Sequence, residues 1–111
     1  MFFSNYRCQN INPEDLQDRM ESGTGFLLLD VRTPREFAAD TIAGAKLIPL
    51  QELPNRLHEL PRDREIVVYC RVGNRSAYAC SFLASRGFNV KNLDGGIVQW
   101  NMSHFAEMSR A

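Results

Sequence analysis

The residues best suited to chemistry lie in the segment YCRVGNRS, residues 69 to 76. Its cysteine, Cys70, is a candidate nucleophile, because the thiolate form of cysteine is strongly reactive. Arg71 and Arg75 place two cations beside it, and arginine offers a planar fork of donors to an oxyanion. Gly73 permits a backbone conformation that a side chain would obstruct. The segment therefore predicts a thiolate surrounded by hydrogen-bond donors, suited to an anionic substrate.

Such a site requires a strand before Cys70 and a helix after it. EIVVYC, residues 65–70, is apolar and β-branched, which is typical of a buried strand. RSAYACSFLASRG follows with the pattern of a helix that begins near Arg75 or Ser76 and ends at Gly87. Free N–H groups at a helix start carry partial positive charge, and a thiol located there has a lowered pKa. The order of elements thus supports the thiolate interpretation.

Strand and helix patterns alternate over the rest of the chain. The predicted strands are FLLLDV (26–31), AKLIPL (45–50) and NVKNLDGG (89–96), and the predicted helices are INPEDLQDRMES (11–22), TPREFAAD (33–40), LQELPNRLHEL (50–60) and GGIVQWN (95–101). This alternation predicts an α/β fold, with a mainly parallel central sheet of about five strands flanked by helices on both faces. Ligands bind beyond the carboxyl ends of such strands, where Asp30 and Cys70 lie.

Length and composition restrict the organisation and the partners. The 111 residues predict one domain, residues 1–111, with a core at about 8–102 and a short C-terminal tail at 103–111. Because 13 basic side chains balance 13 acidic ones, the composition indicates neither a nucleic-acid partner nor a membrane partner. The sequence shows no signal-peptide pattern and no apolar run long enough to span a membrane. A cytoplasmic location is expected.

The three cysteines, Cys8, Cys70 and Cys80, are odd in number and unrelated in spacing, which favours reduced thiols over a disulfide framework. Cys80 is predicted on the core face of its helix, where a small buried side chain fits. Cys8 is interpreted as a strand-edge thiol, and a relay role for it stays open. The sequence has no CxxC pair, and His58 and His104 are isolated, so no metal is expected.

Two other forms of cysteine catalysis fit poorly. A papain-like pair needs a histidine base near the thiol, and neither His58 nor His104 is placed for that role. A thioredoxin-like pair needs a second cysteine close behind the first, but Val72 and Gly73 occupy that region. The loop chemistry therefore centres on one sulfur atom.

Three motifs, taken together, are specific. They are the DVR…EF segment that begins at Asp30, the CRxGxRS loop that begins at Cys70, and the GG…W segment that ends at Trp100. With these motifs the sequence resembles, over nearly its whole length, the single-domain rhodaneses, which are thiosulfate or persulfide sulfurtransferases. Cell-cycle phosphatases that share this fold have five residues between cysteine and arginine. Here four residues separate Cys70 from Arg75, and the shorter ring fits a sulfur atom better than a phosphate.

The resemblance implies covalent catalysis in two steps without a cofactor. The Cys70 thiolate would attack the outer sulfur of thiosulfate or a related persulfide donor and keep that sulfur as a persulfide. An acceptor, such as cyanide, a small thiol or a protein, would then remove it. Loop N–H groups would hold the persulfide anion, and Arg75, with Arg71 as a second candidate, would attract the sulfonate end of the donor. The residues implied to bind substrate are Arg71, Val72, Gly73, Asn74, Arg75 and Ser76.

The segments around Asp30 and Asp40 lead to further expectations. Asp30 and Arg32 match the family's DVR element, and the resemblance implies that they brace the site from a neighbouring strand end. We expect Arg32 to pair with Glu36. The sequence departs from the family at Asp40 and Thr41, where many members have Gly-His, so the turn at the mouth of the site and the choice of acceptor stay open.

Two functional alternatives remain open at this point. One is a persulfide carrier or sulfur-sensing module that acts on a partner protein and turns over free substrate poorly. The other is a phosphatase of the related fold, which the size of the loop disfavours. All three functions depend on Cys70.

Overall fold

A parallel sheet forms the centre of the protein. The computed structural model describes residues 8–23 and 25–110, and within them the sheet has five strands. The strands are β1 (Gln9–Ile11), β2 (Phe26–Asp30), β3 (Lys46–Leu47), β4 (Glu65–Tyr69) and β5 (Val90–Leu93). Their order is β1-β5-β4-β2-β3, and each neighbouring pair is parallel. The strand that leads to Cys70 is therefore central, and its carboxyl end lies between β5 and β2.

Helices connect these strands, and two of them start at local sequence signals. The α-helices of the described chain are α1 (Pro13–Ser22), α2 (Pro34–Ala39), α3 (Asn74–Ser85) and α4 (Gly96–Arg110). The side chain of Asn12 caps α1 by accepting a hydrogen bond from the Asp15 N–H at 2.8 Å. Thr33 and Glu36 form a reciprocal capping box at the start of α2. The predicted positions of these two helices are confirmed.

The two faces of the sheet carry separate apolar cores. Along β4, Ile66 and Val68 face one core, whereas Val67 and Tyr69 face the other. α3 covers the first face, and α1 and α4 cover the second, so the predicted arrangement with helices on both faces is confirmed. The helix residues buried in these cores are Ala79, Cys80 and Leu83 on the first face, and Leu16, Ile97 and Trp100 on the second.

Predicted elements differ from the structure in three places, the first being that the helix predicted over 95–101 continues to Arg110, through the segment predicted as a tail. Residues 50–60 do not form an α-helix; instead Leu50–Asn55 and Leu57–Glu59 are short 3₁₀-helices. Pro54 lies within the first of them, and proline has no N–H group to donate to an α-helical hydrogen bond. The strand predicted over 45–50 is reduced to β3, which has only two residues.

A disulfide bond joins Cys8 to Cys80, with a Cα–Cα distance of 5.6 Å. The prediction of reduced thiols is therefore wrong for these two residues, although the burial predicted for Cys80 is confirmed. The pairing could not be predicted, because the two cysteines are 72 positions apart and meet only when the chain before β1 approaches α3. In the chain-entropy model such a long closed loop stabilises the fold by about 4 kcal/mol. Cys70 is the free cysteine.

The last helix, α4, runs for 15 residues along one face of the sheet. Ile97 and Trp100 near its start enter the core, whereas Met102 and Phe105 further along are exposed. Within the described residues, no helix has both the length and the apolar character needed to cross a bilayer.

Candidate active site

Cys70 lies directly after β4, and its sulfur is enclosed by the loop that leads into α3. The Cys70 Sγ accepts hydrogen bonds from the N–H of Gly73 at 3.1 Å and the N–H of Ser76 at 3.3 Å. The hydroxyl of Ser76 donates a third, at 3.2 Å. Only 1% of the Cys70 surface is exposed. The donors therefore surround a nearly buried sulfur, as expected from the sequence.

These donors determine the protonation of the thiol. Burial raises the pKa of Cys70, because a charged sulfur is poorly solvated inside the protein. The hydroxyl and N–H of Ser76 and the N–H groups of Gly73 and Val72 act in the opposite direction, and together they outweigh burial. The pKa of Cys70 is thus lower than that of an ordinary cysteine thiol. The loop favours a thiolate without a histidine base.

The backbone of the loop depends on two glycines. Gly73 has a φ angle of +113° and ends the loop as the residue before α3, a conformation that side chains rarely permit. Gly96 begins α4 directly against the loop, since a Cβ atom built on it would lie 2.4 Å from the Arg71 carbonyl oxygen. The next two residues donate to the loop: the Ile97 N–H to the Cys70 carbonyl at 3.0 Å and the Val98 N–H to the Arg71 carbonyl at 3.1 Å. The start of α4 therefore fixes the base of the loop, a role that sequence reasoning missed.

Arg75 is held by a carboxylate. Its guanidinium donates two parallel hydrogen bonds to Glu36, at 2.7 and 2.8 Å. This pairing, together with the hydrogen bonds from Thr33, lowers the pKa of Glu36 to about 2. The expected Arg32–Glu36 pair is wrong: Glu36 contacts Arg75, because α2 places the Glu36 side chain against the start of α3. Arg75 still interacts with the charge of Cys70, but part of its fork is occupied.

The partner of Arg32 is Asp30, at the end of β2. The Arg32 Nε and Nη2 atoms donate to the Asp30 carboxylate at 2.7 to 3.1 Å, and both residues are buried. Nη2 also donates to the main-chain carbonyl of Asp40 at 2.5 Å. This ion pair ties the end of β2 to the turn after α2. It stands beside the Cys70 strand, since β2 pairs with β4.

The turn in which the sequence departs from the family is anchored by polar contacts. The hydroxyl groups of Thr41 and Tyr69 are 3.1 Å apart, and the Ile42 N–H donates to the Tyr69 hydroxyl at 3.2 Å. The Asp40 carboxylate accepts a hydrogen bond from the side chain of Asn101 at 2.8 Å. Asp40 and Thr41 thus fix the turn to β4 and α4.

The remaining predicted site residues lie on the rim of the loop. Arg71, Val72 and Asn74 are exposed, and 52% of the Val72 surface is accessible. Among the residues that the structure describes, Arg71 has no ion-pair partner. Within the described residues, the Arg71 guanidinium is therefore not paired with a carboxylate, in contrast to that of Arg75.

The Glu36–Arg75 pair leads to a prediction about pH. Glu36→Gln should lower the free energy of unfolding at neutral pH by about 1 kcal/mol, a value reduced by solvent around both side chains. A carboxylate whose pKa is lowered on folding stabilises the protein above its unfolded pKa, and this contribution is lost as the pH falls towards the folded pKa. The difference between wild type and variant should therefore shrink as the pH falls from about 4.5 to about 2. Urea unfolding curves across that range measure it.

A matched control exists on the surface. Glu52→Gln removes the carboxylate of an exposed Arg56–Glu52 pair, so it should change stability less than Glu36→Gln. A Glu36→Gln difference that stayed constant down to pH 2 would contradict the role assigned to this ion pair.

The chain is similar to known proteins in sequence and in fold. A family model described as rhodanese-like domain matches residues 12–103. A sulfurtransferase of Allochromatium vinosum is 43% identical over 81% of the chain and 85% of its own length. The thiosulfate sulfurtransferase GlpE of Pseudomonas fluorescens is 31% identical over 92% of the chain and 93% of its own length. The crystal structure of a rhodanese-related protein of Thermoplasma volcanium superimposes with a TM-score of 0.79, at 37% identity, over 86% of this chain and 92% of that one.

Proposed function

The chain belongs to the rhodanese-like domain family, and we propose that it is a sulfurtransferase that carries sulfane sulfur as a persulfide on Cys70. The observation that carries the proposal is the convergence of two N–H groups and one hydroxyl on the Cys70 sulfur. These donors favour an anionic sulfur before any substrate arrives, so no reorganisation is required during the reaction. The names of the two relatives described above support the same class of reaction.

The proposed first step forms the persulfide. The Cys70 thiolate attacks the outer sulfur of thiosulfate, and the bond between the two donor sulfur atoms breaks. Sulfite leaves with the bonding electron pair, and the outer sulfur remains on Cys70 as an anionic persulfide. The exposed cation of Arg71 is suited to attract the sulfonate group as the donor approaches.

The proposed second step returns the enzyme to its starting state. A nucleophilic acceptor, either cyanide or a thiolate, attacks the outer sulfur of the persulfide, and Cys70 leaves as a thiolate. The N–H groups of Gly73 and Ser76 then donate hydrogen bonds to the restored Cys70 thiolate, as they did before the reaction. A low pKa of Cys70 assists this step, because a more acidic thiol is a better leaving group.

A mass measurement tests the proposal. Incubation with thiosulfate should increase the intact mass by one sulfur atom, and digestion should locate this increase on the peptide that contains Cys70. Addition of cyanide should remove the extra mass and release thiocyanate in equal amount. If the protein takes up no sulfur from thiosulfate or from a small persulfide donor, the proposal is wrong.

A persulfide carrier is the second candidate, and one contact favours it. Glu36 holds the fork of Arg75, so the loop offers less free positive charge to a small anionic donor than its sequence suggests. The apolar, exposed side chain of Val72 on the rim suits contact with another protein. A carrier would show the same stable mass increase with negligible thiocyanate release over repeated cycles. The ratio of thiocyanate to protein therefore separates the two functions.

A further inference from the structure

A buried asparagine on β5 contacts the Cys70 loop from below. Asn92 is only 6% exposed, and its Nδ2 group donates to the carbonyl oxygen of Gly73 at 3.3 Å. Its Oδ1 atom has no hydrogen-bond partner within the described part of the chain. A buried polar group without a partner destabilises a protein, so the retention of this amide calls for a reason other than stability.

The reason follows from the hydrogen-bond donors and acceptors around Gly73. The Ser76 hydroxyl lies 3.2 Å from the Cys70 sulfur and 3.3 Å from the Gly73 carbonyl oxygen, but it has one proton and can donate to only one of them. A carbonyl oxygen has two lone pairs. The N–H of Ala77 takes one of them at 3.0 Å, and the Asn92 amide takes the other.

We propose that Asn92 is a positioning residue that directs the hydroxyl proton of Ser76 towards the Cys70 sulfur. With both lone pairs of the Gly73 carbonyl occupied, the remaining acceptor for that proton is the sulfur. Without the Asn92 amide, the hydroxyl can turn to the Gly73 carbonyl, and the thiolate loses one of its donors. Asn92 acts through Ser76 and does not touch the substrate.

The inference rests on the proposed function only in treating Cys70 as the reacting group. Its test measures the protonation of the thiol in the absence of any sulfur donor. A failure of sulfur transfer and a failure of the Asn92 inference therefore give different results.

The experiment is a double-mutant cycle with Asn92→Leu and Ser76→Ala. The pKa of Cys70 is measured from thiolate absorbance in the ultraviolet and from the pH dependence of alkylation, in protein with the Cys8–Cys80 disulfide intact. Asn92→Leu should raise the pKa of Cys70 by about 0.5 to 1 unit. At pH values below the pKa, this corresponds to about three- to tenfold less thiolate. Ser76→Ala should raise it by at least as much. In the Ser76→Ala background, Asn92→Leu should cause no further increase.

Stability measurements separate this role from a structural one. Leucine has a similar size and leaves no unpaired buried oxygen, so Asn92→Leu should unfold at the same urea concentration as wild type or a higher one. Asn89→Ala, at an exposed asparagine before β5, is the control and should change neither the pKa nor the stability. The proposal is overturned if Asn92→Leu leaves the pKa unchanged, or raises it equally with and without the Ser76 hydroxyl. It is also overturned if Ser76→Ala does not raise the pKa.

Discussion

Replacement of Cys70 by serine is expected to abolish sulfur uptake and thiocyanate formation, with a loss of at least about 10³-fold. A serine hydroxyl is not deprotonated at neutral pH, and the hydrogen bonds from Gly73 and Ser76 are too weak to change that. Its oxygen also cannot form a persulfide. Because serine is smaller than cysteine and can accept the same hydrogen bonds, we expect the stability to change by about 1 kcal/mol or less. Intact mass after thiosulfate treatment gives the readout.

The other two cysteines provide the matched control. A variant that combines Cys8→Ser with Cys80→Ser retains the Cys70 loop, loses the disulfide and places a serine hydroxyl in the core at position 80. It should still take up one sulfur atom at a temperature where it is folded. If Cys70→Ser still takes up sulfur, or if only the double variant loses sulfur uptake, the reacting sulfur is not that of Cys70.

Gly96→Ala is expected to remove activity and to lower the free energy of unfolding by about 2–5 kcal/mol. Two effects combine at this position. The φ angle of Gly96 is +60°, a left-handed conformation that is unfavourable for alanine. The added Cβ would also lie 2.4 to 2.6 Å from the main-chain atoms of Cys70 and Arg71, and main-chain atoms cannot turn aside as a flexible side chain can. The loop would have to move, and with it the N–H groups that face the sulfur.

Gly23 provides a control in which the unfavourable φ angle is present but the close contact is absent. Gly23 has a φ angle of +73°, and a Cβ built on it meets nothing within 4 Å. Gly23→Ala should therefore lower the free energy of unfolding by only about 1–2 kcal/mol and leave sulfur uptake intact. Urea unfolding and sulfur uptake are measured on both variants. Equal effects of the two substitutions would show that contact with the loop is unimportant.

Features that depend on neighbouring residues could be predicted from the sequence, whereas contacts between distant residues could not. β4 and the start of α3 were predicted because their signals are local: a continuous apolar, β-branched run, a cysteine at its end and a glycine before a helix. The same holds for the positions of α1 and α2, where Pro13 and Pro34 lie at the helix starts. These features depend on neighbouring residues, so a single sequence contains them.

The errors concern residues that meet only in the folded chain. Arg32 was expected to pair with Glu36, but Arg32 precedes α2 and its side chain turns back to Asp30. The partner of Glu36 is 39 positions away, on the next helix against the sheet. The donor role of Asn92 could not be derived from the sequence for the same reason, because β5 reaches Gly73 only through its pairing with β4.

The bond between Cys8 and Cys80 also has a topological consequence. It encloses four of the five strands and the whole Cys70 loop in one covalent ring, whereas β5 and α4 lie outside it. A protease that cuts the backbone once inside this ring leaves both fragments attached to each other. A cut after Ser85 instead allows the C-terminal fragment to dissociate, and that fragment contains the Gly96 contact with the Cys70 loop.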